Sequence, residues 1–391
     1  MIPLMKHAFL NEQETKRALS EFIINSSQLS MGSECFKFEK SFASKQGRED
    51  GVLFNSGGSA NLALLQAYKN MGVLKSGAKI GFSSLTWSTN VYPIIQLGFK
   101  PVAIDCDIHT LNVMSHNLKD RLNEIKLDAF FATNVLGFTG DMNEIKSCCE
   151  ENDILFFEDN CESLGTESSG NKAGNFGDAS SFSFFVAHHM SSIEGGMICT
   201  DNIELIEMLR IVRANGWDRN LSAEQQFKWR KRHDISSEFQ AKYTFYDLGY
   251  NFRPTEITGF LGNFQLQYLD HNVSTRENNY KNIERVMSTN DDFVKLEYSH
   301  INKLSTFAMP VVCKNSELRK FYLDQFSGAG VEIRPLISGN IQKQPFYKKY
   351  VDKLYNTDGS DFLHSNSFYC GNYPELTDAD LGTIKSCLYK Y

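Results

Sequence analysis

Four short stretches combine residue types that could carry chemistry. Asn55-Ser56-Gly57-Gly58-Ser59-Ala60-Asn61 stands between a short apolar run and a helical pattern. A glycine-rich strand–helix turn leaves backbone amides free to face an anion, and the helix N-terminus adds partial positive charge. An ordinary tight turn would use the same residues. Glu158-Asp159-Asn160-Cys161-Glu162 closes the run ILFF. A carboxylate at the carboxyl end of a strand sits where parallel sheets bind ligands, and could hold a protonated ring nitrogen. Asp159 would serve equally as a helix N-cap. His188 and His189 follow the apolar stretch that begins at Ser181. Imidazole titrates near neutral pH and is the commonest general acid/base. Adjacent side chains rarely converge on one ion and no third ligand is close in sequence, so no metal site is expected. Asn251 and Arg253 precede Pro254-Thr255, which reads as a helix start. Polar side chains there can face a site or simply solvent.

Elements that would position these groups follow from the hydrophobic pattern. Runs at 51–54, 79–82, 101–105, 128–133, 154–159, 180–185 and 196–200 read as strands, each short and flanked by turn residues. Stretches 59–70, 87–97, 142–152 and 201–212 read as helices between or after them. Strand–helix alternation implies an α/β fold with a mostly parallel sheet covered by helices on both faces. The stretch 218–245 is polar and basic with few apolar anchors, a long loop or an excursion. From about 275 the chain reads as a smaller α/β unit, with a helix near 281–288, a strand near 307–313 and a helix near 316–326. The expected division is a large domain, 1–265, with an N-terminal helical segment, and a smaller C-terminal domain, 266–391.

Bulk properties narrow the classes. A chain of 391 residues can bury a sizeable core. A net charge of −7 and the absence of any long Lys/Arg run argue against nucleic acid as a partner. No apolar run reaches about 18 residues, so no membrane span is expected, and the N-terminus lacks a secretory pattern. The nine cysteines show no CxxC spacing and read as reduced thiols in the cytoplasm.

In order and spacing, these pieces resemble the DegT/DnrJ/EryC1/StrS sugar aminotransferases, built on the fold-type I scaffold of pyridoxal-phosphate enzymes. The resemblance runs from Met31-Gly32 through Gly57-Gly58-Ser59-Ala60, Thr86-Trp87-Ser88-Thr89-Asn90, Asn134-Val135-Leu136-Gly137, Glu158-Asp159 and Ser181 to Gly196, and on to Asn251-Phe252-Arg253 and Gly371-Asn372-Tyr373-Pro374. It implies that Gly58 and Ser59, helped by Ser183, hold the cofactor phosphate. Asn251 would reach that phosphate from a partner subunit, which implies a homodimer with the site at its interface. Trp87 would stack on the pyridine ring. Asp159 would hold the ring nitrogen and keep the ring an electron sink. Glu162, where many members carry glutamine, would stand near the ring hydroxyl.

One departure decides what the resemblance implies about chemistry. Members of the group carry a cofactor-binding lysine five residues after the serine, and here that position is His188. No lysine occurs between Ala173 and Phe227. Imidazole cannot form the lysine's covalent imine, so pyridoxamine or pyridoxal 5′-phosphate would be held noncovalently. The histidine, with Gly216-Trp217-Asp218-Arg219, Arg334-Pro335 and Gly339-Asn340, resembles the GDP-4-keto-6-deoxymannose 3-dehydratase branch. That branch implies loss of the C3 hydroxyl from a nucleotide-linked 4-keto-6-deoxy sugar, with glutamate restoring the amine form of the cofactor. Arg219, Arg334 and Asn340 are the candidates for binding the sugar or its diphosphate, and His189 for packing or orienting His188. The tight Cys-x-Cys spacing of an iron–sulfur cluster is missing from the C-terminal half, so none is expected. An aminotransferase using a lysine from elsewhere and a noncatalytic cofactor binder are the competing readings.

Overall fold

A computed structural model describes residues 1–390. The strands are β1 Asp50–Phe54, β2 Lys79–Ser83, β3 Lys100–Ile104, β4 Ala129–Thr133, β5 Leu155–Asp159, β6 Glu167–Ser168, β7 Asn171–Lys172, β8 Ala179–Ser183, β9 Gly196–Thr200, β10 Ile301–Lys303, β11 Ala308–Val312, β12 Ile333–Pro335 and β13 Ser367–Gly371. Seven of them form the main sheet, in the order β1-β9-β8-β5-β4-β2-β3. Within it β9 alone runs antiparallel to its neighbours. Strands β4, β8 and β9 are buried along their whole length. Burial along every position of a strand is what a sheet covered on both faces produces. The α/β architecture read from the sequence is therefore the one observed.

Helix Gly57–Asn70 covers one face, presenting Ala60, Ala63, Leu64, Leu65 and Ala67 to the core. Its start is set by Ser56, whose hydroxyl accepts from Ser59 N–H at 3.1 Å. The helix expected over 87–97 is broken. Trp87 is extended, a single 3₁₀ turn spans Ser88–Asn90, and helix Tyr92–Gln96 starts afresh with Pro93 in its first turn. Proline lacks the amide a continuous helix would need there and is tolerated only at a helix start. The 218–245 stretch is an excursion containing helices Ala223–Arg232 and Glu238–Ala241. Ser222 and Gln225 form a capping box at the first. Trp229 anchors it by donating Nε1–H to Glu207 at 3.0 Å.

A second, antiparallel sheet, β11-β13-β12, lies in the C-terminal part. Its core gathers Met309, Val311, Tyr322, Phe326 and Phe368 together with Leu136 and Phe138 from the first part. Helix Leu269–Met287 bridges the two cores, giving Val273 to one and Tyr280 and Ile283 to the other. Ile2 pairs with Val331, so the first residues of the chain pack on this second unit and not on the main sheet. No helix among the described residues is long and apolar enough to cross a membrane.

Candidate active site

The site forms at the carboxyl ends of β5 and β8, where the parallel strands open onto loops. Asp159 ends β5 and is buried. No helix begins after it, so its expected alternative role as a helix cap is not the one observed. Its Oδ1 accepts from Cys161 N–H at 2.9 Å and fixes the following turn. Its Oδ2 accepts from the side-chain amides of Asn61 and Asn90, both at 2.8 Å. Neighbouring Glu158 turns the other way and is consumed by the backbone amides of Gly174, Phe176 and Gly177. Of the two adjacent carboxylates, Asp159 alone is aimed at the site.

The turn that Asp159 fixes also orients His188. Cys161 presents its carbonyl oxygen 2.6 Å from His188 Nδ1. A carbonyl can only accept, so the proton sits on Nδ1 and the Nε2 lone pair is left free. The half-buried ring packs against Phe307, centroids 5.1 Å apart. Burial drives the imidazole's pKa down to about 4, outweighing the Cys161 bond and the Asp159 charge, which favour protonation. His188 is thus a neutral base at ordinary pH. His189 is fully buried and donates Nε2–H to the Ser305 carbonyl at 3.0 Å. The loop behind the two histidines holds Ile193 at φ 72°, a costly conformation for a β-branched residue and a common mark of a functional loop.

Across from the histidine, Gly57 lies against Ser183. A Cβ on Gly57 would meet Ser183 Cβ at 2.9 Å, and one on Gly58 would meet Thr89 Cγ2 at 2.9 Å. The amides of Gly57 and Gly58 find no acceptor among the described residues, as the first turn of a helix leaves them. Ser59 differs from its expected part here. Its amide and hydroxyl are both engaged by Ser56, so the free amides belong to Gly57 and Gly58. Ser183 is buried, its hydroxyl taking only a long 3.3 Å contact from Phe185 N–H.

Trp87 is 55% exposed, a large flat ring left without intramolecular cover. Glu162 accepts from Leu136 N–H at 3.0 Å, and burial, with the Asp159 charge adding to it, holds its carboxyl up at about 7. Arg219 lies over Trp217 at 5.3 Å and lines an open cleft of about 310 Å³ with Asn220, Asn251 and Arg253. Asn251 is exposed there, accepting from Arg253 Nε at 3.0 Å. Within one chain this cleft is separate from the Asp159–His188 cluster. Arg334 is exposed and pairs with Glu332. Asn340 departs from the substrate-binding expectation. It is buried, its amide nitrogen bonds Thr357 and Asp361, and its oxygen caps Gln342 N–H at 3.0 Å. Its backbone bridges Leu85, and Ile341 N–H reaches Ser84 at 2.9 Å, so this turn clamps the segment that carries Trp87.

Sequence reasoning assigned no part to Asn61, Asn90, Phe307 or Arg276. Asn61 and Asn90 belong to quoted motifs, and a polar residue on the apolar face of helix Gly57–Asn70 was the available signal. Phe307 and Arg276 lie more than 85 residues away in sequence and carried none.

Residues 10–389 match the DegT/DnrJ/EryC1/StrS aminotransferase family. The chain belongs to that family. It is similar to GDP-4-keto-6-deoxy-D-mannose 3-dehydratase of Escherichia coli O55:H7, 33% identical over 364 residues, covering 91% of this chain and 92% of the relative. A solved GDP-4-keto-6-deoxymannose-3-dehydratase carrying a histidine-to-asparagine substitution and bound GDP-perosamine superposes with a TM-score of 0.90 at 28% identity, covering 100% of both chains. Another, with a trapped PLP–glutamate geminal diamine, gives 0.89 at 29% identity, again over 100% of both.

Proposed function

We propose that this member is a pyridoxamine 5′-phosphate-dependent 3-dehydratase of a nucleotide-linked 4-keto-6-deoxy sugar, GDP-4-keto-6-deoxymannose, with glutamate restoring the cofactor amine. The observation that carries the reading is His188. The residue standing five after Ser183 is an imidazole with its Nδ1–H tied to Cys161 and its Nε2 free. The flanking lysines do not replace it. Lys172 Nζ is bonded to the Lys45 carbonyl, and Lys228 Nζ stands 3.9 Å from Glu207.

The residues present fit the cofactor. Two unsatisfied helix-start amides beside Ser183 suit a phosphate. Buried Asp159, steadied by two asparagines, suits a protonated ring nitrogen, and uncovered Trp87 suits a ring face. When bound, the cofactor supplies an amine for the C4 ketone and a ring that accepts electron density. His188 Nε2 then takes a proton from carbon and, once charged, returns it to the departing C3 hydroxyl, which leaves as water. A group buried to a depressed pKa gives up that proton readily. Asp159 steadies the base as well, since the carboxylate that fixes Cys161 N–H also fixes the carbonyl that orients the imidazole. Glu162, neutral below about 7, can donate to an anionic oxygen.

The exposed position of Asn251, apart from its own chain's Ser183, supports a homodimer in which it completes the partner's phosphate site. Arg219 and Arg334 serve as contacts for the sugar diphosphate, for which guanidinium geometry is suited. The cofactor-binding domain is 1–265 less its first residues, with 266–391 the smaller domain, and the enzyme works in the cytoplasm, where nine free cysteines stay reduced. The test is incubation with pyridoxamine phosphate, glutamate and GDP-4-keto-6-deoxymannose under mass detection. A product that has lost oxygen, with ammonia released, is expected. An amino sugar would establish an aminotransferase instead, and no change across several nucleotide sugars a noncatalytic binder.

A further inference from the structure

Three arginines are buried among the described residues, and two of them pair with carboxylates: Arg213 with Glu39 and Arg121 with Glu124. Arg276 has no carboxylate within ion-pair reach. Only 4% exposed, it gives its Nη1 hydrogens to two backbone carbonyls, Phe307 at 2.8 Å and Asn372. Burying a cation without a counter-charge is costly, and such groups persist where a site uses the charge. Arg276 lies beside the histidine pair, lining with His188, His189 and Asn272 one cavity of about 30 Å³. That volume holds about one water and excludes a substrate carboxylate.

We propose that Arg276 is a positioning residue for dehydration, holding Phe307 against His188 and placing a fixed positive charge beside the histidine pair. This rests on His188 being the acid/base group. The clamp is built from both sides of the 305–307 segment. His189 holds the Ser305 carbonyl, Arg276 holds the Phe307 carbonyl, and Asn372 reaches Thr306 Oγ1 at 2.8 Å. The Phe307 ring it fixes lies 5.1 Å from His188 and 6.3 Å from His189. Three buried atoms around the cavity lack partners: Arg276 Nε, His189 Nδ1 and Asn272 Oδ1. With Nε2 of His189 protonated, these are one donor and two acceptors, the complement of a single water, which would join the guanidinium to the second histidine.

The groups around His188 work in opposite directions. Asp159, ahead of the Cys161 turn, favours its charged form and Arg276 disfavours it. His189 feels Arg276 in the same sense, and His188 adds to it. Cys161, Glu162, His7, Tyr373 and Glu375 are the other ionisable groups nearby, Glu375 acting on Arg276.

The test is the pH profile of kcat/KM in holoenzyme, for wild type, Arg276→Gln and Arg276→Lys. In Arg276→Gln the acid limb should move up by about one pH unit, as loss of a nearby like charge requires. Arg276→Lys keeps the charge and should leave the limb in place while kcat falls. An acid limb that does not move in Arg276→Gln overturns the proposal. Should Arg276→Gln not fold, histidine ¹⁵N titration of the wild-type holoenzyme and of the uncharged Arg276→Met decides: a His188 midpoint higher in Arg276→Met than in wild type supports the proposal, and one that does not move overturns it. Wild-type dehydration in the same assay separates the two readings. Its absence sinks the assignment of function, whereas dehydration with an unmoved limb sinks only the part given to Arg276.

Discussion

Two adjacent histidines take different states because their nitrogens meet different partners. His188 spends Nδ1 on a carbonyl and keeps Nε2 open, while His189 spends Nε2 and buries Nδ1. Both are held neutral by burial, so the unfolded chain binds more protons than the folded one below the ordinary imidazole pKa. The share of His188 is present above about 6.5 and is lost as pH falls toward 4, and that of His189 is lost in the same direction. Glu162 works in the other sense. Its carboxyl is raised to about 7 from 4.5, so the folded state binds the extra proton and stability is lost as pH rises through that window. In protein stripped of cofactor, Glu162→Gln should leave stability near pH 5 almost unchanged and exceed wild type by about 2 kcal/mol at pH 8, read by denaturant melts. Equal stability of the two proteins at pH 8 would show that the carboxyl is not held up. The spacing from Ser183 made His188 legible, but its tautomer was not, because that depends on a carbonyl 27 residues away.

At the level of elements, the site depends on strand ends and on turns that come from elsewhere. The main strands were legible because each is a short run rich in apolar side chains between turn residues, as β4 shows. The break at Trp87 was not, because the apolar pattern continues through Pro93 and only the missing amide interrupts it. Asn340 was read as a ligand contact because Gly339-Asn340 resembles the dehydratase branch, yet its amide is spent on Thr357, Asp361 and Gln342. It acts as a brace between its own turn and the Trp87 segment. Asn340→Ala should therefore cost about 1–3 kcal/mol of stability, since it leaves buried partners unsatisfied, and weaken cofactor retention more than sugar KM. A selective rise in sugar KM with unchanged thermal stability would restore the direct contact. Neither Phe307 nor Arg276 could be found from sequence, because the contact to His188 closes only when helix Leu269–Met287 and the second unit dock.

For the whole molecule, an acidic chain with one mostly parallel sheet is a scaffold shared by many chemistries, and the identity of one side chain turns it toward one of them. The proposed cofactor cradle is Gly57, Gly58, Asp159 and Ser183, while Asn251 and Arg219 face outward on a separate cleft, which the proposed second copy would join to it. Family membership was legible from motif order, whereas the helices within the 218–245 excursion were not, because they rest on one capping box and one buried tryptophan. The most direct measurement uses enzyme loaded with pyridoxamine phosphate and given one equivalent of the 4-keto sugar, with product mass followed in wild type and His188→Asn. Wild type should yield a product lighter by one oxygen, and His188→Asn should retain the cofactor and slow that loss by at least about 10²-fold. Undiminished oxygen loss in His188→Asn, with cofactor bound, would contradict the role given to His188.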